Sequence, residues 1–129
     1  MTEKQKIKIM LVDDDSFLLD MYSLKFQKAD LDVTVVSSSV NALDKLRTGE
    51  VYDIIVLDII MPGMDGIELL ENIRKEKLCH EAIIIMLTNQ PDEIDKAKEL
   101  GVAGYIVKAT TIPSEVVDQV LAIYKDNKK

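Results

Sequence analysis

Short apolar runs alternate along the chain with longer stretches in which apolar residues recur every three to four positions. Continuous runs are typical of strands buried on both faces, and the periodic stretches are typical of amphipathic helices. The runs predict strands at residues 7–12, 33–36, 53–57, 82–87 and 105–107. The periodic stretches predict helices at residues 17–28, 40–48, 67–76, 91–100 and 113–125. Because parallel neighbours require helical crossovers, the alternation predicts an α/β fold with a doubly wound, five-stranded parallel sheet.

The spacing within the predicted helices also indicates which side chains face the core. The first helix is predicted to bury one face, formed by Phe17, Leu18, Met21 and Leu24. The third is predicted to bury Ile67, Leu70 and Ile73, and the last to bury Val116, Val117, Val120, Leu121 and Tyr124.

The most informative stretch is YDIIVLDIIMPGMDG, residues 52–66. Its apolar run ends at Asp58, which places a carboxylate at the edge of the sheet where open α/β folds bind ligands. Pro62 and Gly63 then break the chain, and Asp65 is well placed to cap the next helix. A single Asp after a strand is more often a solvated turn residue, so the interpretation of Asp58 depends on the other strand ends.

Polar residues follow three further strands at the point where each strand ends. Asp13 and Asp14 follow the first strand, Thr88 follows the fourth, and Lys108 follows the fifth. In a doubly wound sheet these ends share one edge, and with the first strand in the centre they converge with Asp58 on one crevice.

This set of side chains suits phosphoryl transfer. Three carboxylates repel one another unless a cation joins them, and oxygen ligands suit Mg²⁺, with Asp14 and Asp58 as direct ligands and Asp13 holding a metal-bound water. Lys108 supplies a fixed positive charge and Thr88 a neutral donor around a phosphoryl group. The nucleophile would be Asp58, whose carboxylate can form an acyl phosphate.

Composition narrows the classes of function. The 129 residues are 47% hydrophobic, enough for one core, so we expect a single domain over residues 1–129, with a core of about 7–125 and no output domain. The net charge of −7 argues against direct nucleic-acid binding. One Cys and one His exclude a His/Cys metal cluster and favour a cytoplasmic location, and no apolar run is long enough for membrane insertion.

Four motifs resemble those of the receiver domains of two-component response regulators. They are LVDD at 11–14, LDIIMPGMDG at 57–66, MLT at 86–88 and GYIVK at 104–108. Each is weak alone, but four in this order and at these spacings are specific, and the resemblance extends from residue 7 to about residue 125. It implies a (βα)5 flavodoxin-like fold with strand order 2-1-3-4-5, in an apparently stand-alone receiver.

The resemblance also implies roles for individual residues. Asp58 would be the phosphoacceptor and Asp13 and Asp14 the acidic pair, with the backbone carbonyl of Ile60 as a further ligand of Mg²⁺. The switch hydroxyl would be Thr88 and the phosphate-binding lysine Lys108. Tyr105 falls on the position of an aromatic ring that turns inward on activation.

The implied function is a switch in a phosphorelay. The phosphodonor would be a histidine kinase or a histidine phosphotransfer protein, and slow autodephosphorylation would reset the switch. The signal would leave through the face formed by the fourth helix, fifth strand and fifth helix, towards an unknown downstream protein. A phosphorylation-dependent homodimer is compatible with this function.

The chain departs from the family pattern at several positions. Ala109 stands where the family usually has a proline with a cis bond, and a cis bond before Ala costs about 3 kcal/mol, so we expect a trans bond and an altered loop. Asn89 stands where the residue is usually small, and its amide could either crowd the phosphoryl site or hydrogen-bond to it. Ile60, Asn89 and Gln90 are expected to tune access of water to the acyl phosphate.

Three alternatives use similar elements. A phosphatase of the haloacid dehalogenase type would normally carry a second Asp where Ile60 stands. A flavodoxin-like binding protein would need a phosphate cradle after the first strand, where three aspartates would repel a phosphate. A degenerate receiver that acts as a phosphorylation-independent interaction module is the stronger rival, although retention of Asp14, Asp58, Thr88 and Lys108 argues against it.

Overall fold

The computed structural model describes residues 6–89 and 94–127. Five strands form one sheet: β1 (Lys8–Val12), β2 (Asp32–Val36), β3 (Ile54–Leu57), β4 (Ile83–Thr88) and β5 (Gly104–Val107). The described helices are α1 (Ser16–Lys28), α2 (Ser39–Arg47), α3 (Gly66–Lys75), α4 (Ile94–Glu99) and α5 (Pro113–Asn127). A short 3₁₀ turn, Lys108–Thr110, follows β5. No helix among these residues is both long enough and apolar enough to span a membrane.

The sheet is parallel throughout and has the order β2-β1-β3-β4-β5. This confirms the predicted flavodoxin-like fold and strand order. β1 lies inside the sheet between β2 and β3, and the central strand is β3. All four residues of β3 are buried, as expected for a strand covered on both faces. The carboxyl ends of β1, β3, β4 and β5 therefore lie side by side along one edge.

Two apolar clusters cover the two faces of the sheet. One contains buried residues of α1 and α5, and the other contains buried residues of α2, α3 and α4. The predicted inner faces of α3 and α5 are confirmed: Ile67, Leu70 and Ile73 are buried, as are Val116, Val117 and Val120, while Leu121 and Tyr124 pack partly buried.

The predicted inner face of α1 is wrong at Phe17 and Leu24, whereas Leu18 packs partly buried against the core, as predicted. Phe17 is 70% exposed and Leu24 is 59% exposed, whereas Leu19, Tyr22 and Phe26 are buried. Both sets have helical spacing, so periodicity alone could not separate them. The second set buries two aromatic rings against the sheet, and this larger apolar area decides the rotation of the helix.

Side-chain caps fix the helices that begin near the functional edge. Asp15 caps α1 by accepting from the Phe17 and Leu18 amides. Asp65 caps α3 in a reciprocal capping box with Glu68, as its position in the sequence predicted. The predicted start of the fourth helix at Pro91 lies outside the described residues.

Candidate functional site at the carboxyl edge of the sheet

Asp13 and Asp14 leave β1 in different environments. Asp13 is only 2% exposed and its Oδ1 accepts from the Asp15 amide at 2.9 Å, while Asp14 is exposed. This turn leads directly into the Asp15 cap of α1. The cap therefore holds the loop in place and leaves one buried and one exposed carboxylate at the end of β1.

Asp58 lies at the end of β3 and is 5% exposed. Its amide donates to the Val12 carbonyl at 2.9 Å, which continues the pairing of β3 with β1 by one residue. Its carboxylate receives a backbone hydrogen bond from Ile60. Below this loop the Gly66 amide donates to the Ile59 carbonyl at 2.8 Å, so the start of α3 supports the backbone that carries Asp58.

Lys108 brings a positive charge between two buried carboxylates. Its Nζ lies 2.6 Å from Asp13 Oδ2 and 3.2 Å from Asp58 Oδ2. Its side chain is 11% exposed, so this is a largely desolvated ion-pair network and not a surface salt bridge. The amine reaches the crevice, as predicted, and its closest contact is with Asp13.

Burial and neighbouring charge shift the ionisation of these groups. Burial raises the pKa of Asp58 from 3.8 to about 6, the Lys108 charge opposes this rise, and the Asp13 charge adds to it. Burial lowers the pKa of Lys108, but its hydrogen bond with Asp13 and the charges of Asp58 and Asp13 outweigh that effect and raise the pKa overall. Lys108 is therefore a permanent cation at neutral pH.

The donor set fits a hard divalent cation. Asp13, Asp14 and Asp58 each offer a carboxylate oxygen, and these oxygens lie within 4.8 Å of one another. Apart from its contact with Lys108, Asp13 Oδ2 is buried and accepts no hydrogen bond from the described residues. A set of donors made only of carboxylate oxygens matches the preference of Mg²⁺.

An open cavity of about 860 Å³ lies over the carboxylates. Its rim combines three apolar side chains that are mostly exposed, Phe17, Ile60 and Ile112. Its floor includes Tyr22, whose pKa is raised mainly by burial, with Lys108 opposing and the nearby aspartates adding to the shift. Sequence reasoning had predicted Ile60 at the site but missed Phe17, Tyr22 and Ile112, because Phe17 carried only a helical-packing signal and the other two carried no signal of a site.

The remaining predicted residues differ in their burial and in whether they line this cavity. Thr88 is completely buried at the end of β4, in register with Val107. Ile60 is 57% exposed at the rim. Tyr105 is 43% exposed, with the Lys98 amine 5.9 Å from its ring centroid, so its ring faces outward. Gln90 lies outside the described residues.

The loop after Lys108 has the predicted peptide geometry. No cis peptide bond occurs in the described residues, so the Lys108–Ala109 bond is trans. Asn89 lines the cavity, and its Oδ1 accepts from the Ala109 amide at 2.7 Å. The two alternatives for Asn89 considered from the sequence did not include this contact.

Comparison with known proteins agrees with the fold. The family model "Response regulator receiver domain" matches residues 9–120. The alkaline phosphatase synthesis transcriptional regulatory protein PhoP of Bacillus subtilis (strain 168) is 37% identical over 120 residues, covering 92% of this chain and 48% of PhoP. The chain thus spans about half the length of this curated relative.

Solved structures of receiver proteins have the same fold as this chain. Chemotaxis protein CheY4 of Vibrio cholerae matches with a TM-score of 0.83 and 26% identity, covering 92% of this chain and 99% of CheY4. The receiver domain of the Francisella response regulator 1452 matches with a TM-score of 0.80 and 30% identity, covering 95% of this chain and 100% of that domain. With its motifs, strand order and family match in agreement, the chain belongs to the receiver domains of two-component response regulators.

Proposed function

We propose that the chain is a phosphorylation-dependent signalling switch in which Asp58 accepts the phosphoryl group. The observation that carries this proposal is the buried carboxylate of Asp58, 3.2 Å from the Lys108 amine, beneath an open cavity. A carboxylate in such a place is accessible from one side and is held beside a permanent cation. These are the requirements of a nucleophile that must meet a charged phosphodonor.

The proposed reaction transfers a phosphoryl group from phosphohistidine on a histidine kinase or a histidine phosphotransfer protein. A carboxylate oxygen of Asp58 attacks phosphorus, a P–O bond forms and the donor's P–N bond breaks. The leaving imidazole keeps the electron pair and takes up a proton. Attack by water on the acyl phosphate later returns Asp58 and inorganic phosphate, so the chain catalyses only its own modification.

The chain's own residues prepare this reaction by position and charge. Lys108 offsets negative charge on the phosphoryl oxygens, and in this proposal the Thr88 hydroxyl donates to one of them. Asp13 keeps the Lys108 amine next to Asp58, since it forms the shorter of the two ion pairs, at 2.6 Å. Ile60, Asn89 and Gln90 would set how easily water reaches the product.

Asp13, Asp14 and Asp58, together with the Ile60 carbonyl, would hold Mg²⁺. When bound, Mg²⁺ would neutralise the carboxylates and polarise the phosphoryl oxygens. The Lys108 amine is the protein's own cation beside this buried pair of carboxylates. Removing it would leave Asp13 and Asp58 without a positively charged side chain next to them.

The proposed readout is a shift between two states of the face around α4, β5 and α5. Thr88 would move towards the phosphoryl group, and Tyr105, which now faces outward beside Lys98, would turn inward. Its targets would be a downstream protein or a second phosphorylated copy in a homodimer, in the cytoplasm.

Intact-mass spectrometry after incubation with Mg²⁺ and acetyl phosphate tests the proposal. We expect the protein to gain one phosphoryl group, which hydroxylamine removes because an acyl phosphate is labile. Asp58→Asn should gain none while remaining folded, and the exposed Asp20→Asn serves as the matched control.

Each other result points to a different class of protein. A degenerate interaction module would gain nothing, either from acetyl phosphate or from a phosphohistidine donor. A phosphatase would consume the donor over many turnovers without accumulating an adduct. An adduct that survives Asp58→Asn would exclude Asp58 as the acceptor and direct attention to Asp13 and Asp14.

Mg²⁺ binding without phosphate is a separate prediction. Titration with millimolar Mg²⁺ should shift the amide resonances of residues after β1 and β3, since oxygen ligands come from both strand ends. Asp14→Ala should abolish these shifts, EDTA should reverse them in the wild type, and Asp20→Ala should leave them intact. A wild-type response spread evenly over the acidic surface would contradict a defined site.

A further inference from the structure

Two departures from the family pattern meet in space. Asn89 follows the switch threonine, and Ala109 follows Lys108, 20 residues later in the chain. Asn89 Oδ1 accepts from the Ala109 backbone amide at 2.7 Å. A proline at position 109 would have no amide hydrogen to donate, and a small apolar residue at position 89 would have no oxygen to accept it. Each departure therefore supplies the group that the other needs.

The contact lies just beyond the point where two strands separate. Thr88 and Val107 are the last paired residues of β4 and β5. After them, residues Lys108–Thr110 turn away as a 3₁₀ segment. The Asn89 side chain thus adds one connection between the two chain segments after the backbone ladder has ended.

With this hydrogen bond, the residues on both sides of Lys108 are fixed in place. On one side Val107 is held in the sheet, and on the other the Ala109 amide is held by Asn89. Between them the Lys108 side chain must extend to place its amine 2.6 Å from Asp13 and 3.2 Å from Asp58. Because the Lys108 side chain is long, a small rotation of its backbone moves the amine by a large distance. The hydrogen bond that fixes Ala109 therefore restricts the positions that the amine can reach.

We propose that Asn89 is a positioning residue for Lys108, acting through the Ala109 amide. The same bond joins the segment that follows Thr88 to the segment that carries Lys108, so that a movement of one is transmitted to the other. Only the kinetic consequence rests on the proposed function of Asp58; the bond and the position of the amine can be tested without it.

A competing explanation is that Asn89 acts through bulk alone. Asn89 lines the same cavity as Asp58 and Lys108, and a large side chain there could simply obstruct a phosphodonor. Asn89→Leu separates the two explanations, because it keeps the same number and branching of side-chain heavy atoms, with no less bulk, and removes the oxygen. Asn89→Ala removes both, and Thr110→Val is the matched control, since it removes only a weaker 3.4 Å contact with the Val107 carbonyl in the same turn.

The first arm of the experiment is structural. Amide hydrogen exchange at Ala109 should become about tenfold faster in Asn89→Leu and Asn89→Ala, while exchange at Val107 stays unchanged. A crystal structure of Asn89→Leu should show the Lys108 amine more than 4 Å from Asp58, beyond contact ion-pair distance. Unchanged exchange at Ala109, or an unmoved amine, would overturn the proposal whatever the phosphorylation result.

The second arm is kinetic and uses acetyl phosphate with saturating Mg²⁺. Positioning predicts that the maximal rate of adduct formation falls roughly threefold to tenfold in both Asn89 variants, the range expected from one neutral hydrogen bond. The donor concentration for half-maximal rate should not change, and Thr110→Val should react like the wild type. A faster Asn89→Ala with a normal Asn89→Leu would establish bulk as the cause and overturn positioning. If the wild type forms no adduct, the proposed function fails, and the structural arm still decides the role of Asn89.

Discussion

Gly66→Ala is expected to destabilise the folded protein by about 2–4 kcal/mol and to displace Asp58. A Cβ at position 66 would lie 2.8 Å from Ile59 Cα and 2.9 Å from the Asp58 carbonyl carbon, and closer still to the Asp58 carbonyl oxygen. These are backbone atoms, so no side-chain rotation relieves the contact. The first turn of α3 and the loop after β3 would have to separate, which would stretch the 2.8 Å hydrogen bond from Gly66 to Ile59.

Replacing Gly by Ala in a helix usually stabilises the folded protein, which is the opposite of the effect expected here. Ala at a helical position normally stabilises by about 0.4–1 kcal/mol, because it restricts the unfolded chain. Urea unfolding should therefore show a clear loss for Gly66→Ala and a much smaller change for Gly104→Ala, whose Cβ would meet the flexible end of Ile123 at 3.0 Å. Equal stability of the two variants would show that the close packing under Asp58 is not required.

The sheet and its helices were predictable because each signal was local. Continuous apolar runs such as residues 54–57 are typical of a strand covered on both faces. Asp65 followed by Glu68 is a helix start that depends on neighbouring residues alone. The rotation of α1 was mispredicted, because choosing between Leu24 and Phe26 as the buried residue depends on what the sheet offers, and no local pattern contains that information.

The functional edge was predictable to the level of residue identity but not of contacts. The ends of the strands indicated that Asp13, Asp58 and Lys108 would meet. Whether the amine lies closer to Asp13 or to Asp58 depends on the 3₁₀ turn that follows β5, which had no signal in the sequence. The contact of Asn89 with Ala109 likewise depends on the register of β4 with β5, which is set by the whole sheet.

The ionisation of Asp58 makes the stability of the protein depend on pH. Below about pH 4 this carboxyl is protonated in both the folded and the unfolded chain. Between about pH 4 and 6 the folded protein retains a proton that the unfolded chain has released, because the folded pKa is about 6 and the ordinary value is 3.8. Since the folded state then binds more protons, stability falls as the pH rises through this window.

Asp58→Asn is therefore expected to be more stable than the wild type at pH 7.5, by about 2–3 kcal/mol, when EDTA keeps divalent cations away. Asn resembles the protonated carboxyl and avoids both the desolvated charge and its repulsion by Asp13, while Lys108 keeps its 2.6 Å partner. Urea unfolding at pH 7.5 and at pH 4 measures the difference, which should nearly vanish at the lower pH. The exposed Asp20→Asn should show no comparable gain.

Addition of Mg²⁺ at pH 7.5 should reverse part of this difference. A cation that binds the folded wild type stabilises it by mass action, and Asp58→Asn has lost one of the carboxylates that would bind it. The wild type should thus gain stability with rising Mg²⁺ concentration while Asp58→Asn gains much less. If Asp58→Asn is instead less stable than the wild type in EDTA at pH 7.5, the Lys108 ion pair outweighs the cost of burying the charge. The raised pKa of Asp58 would then be wrong in sign, and the carboxylate would be a stabilising partner of Lys108 even before phosphorylation.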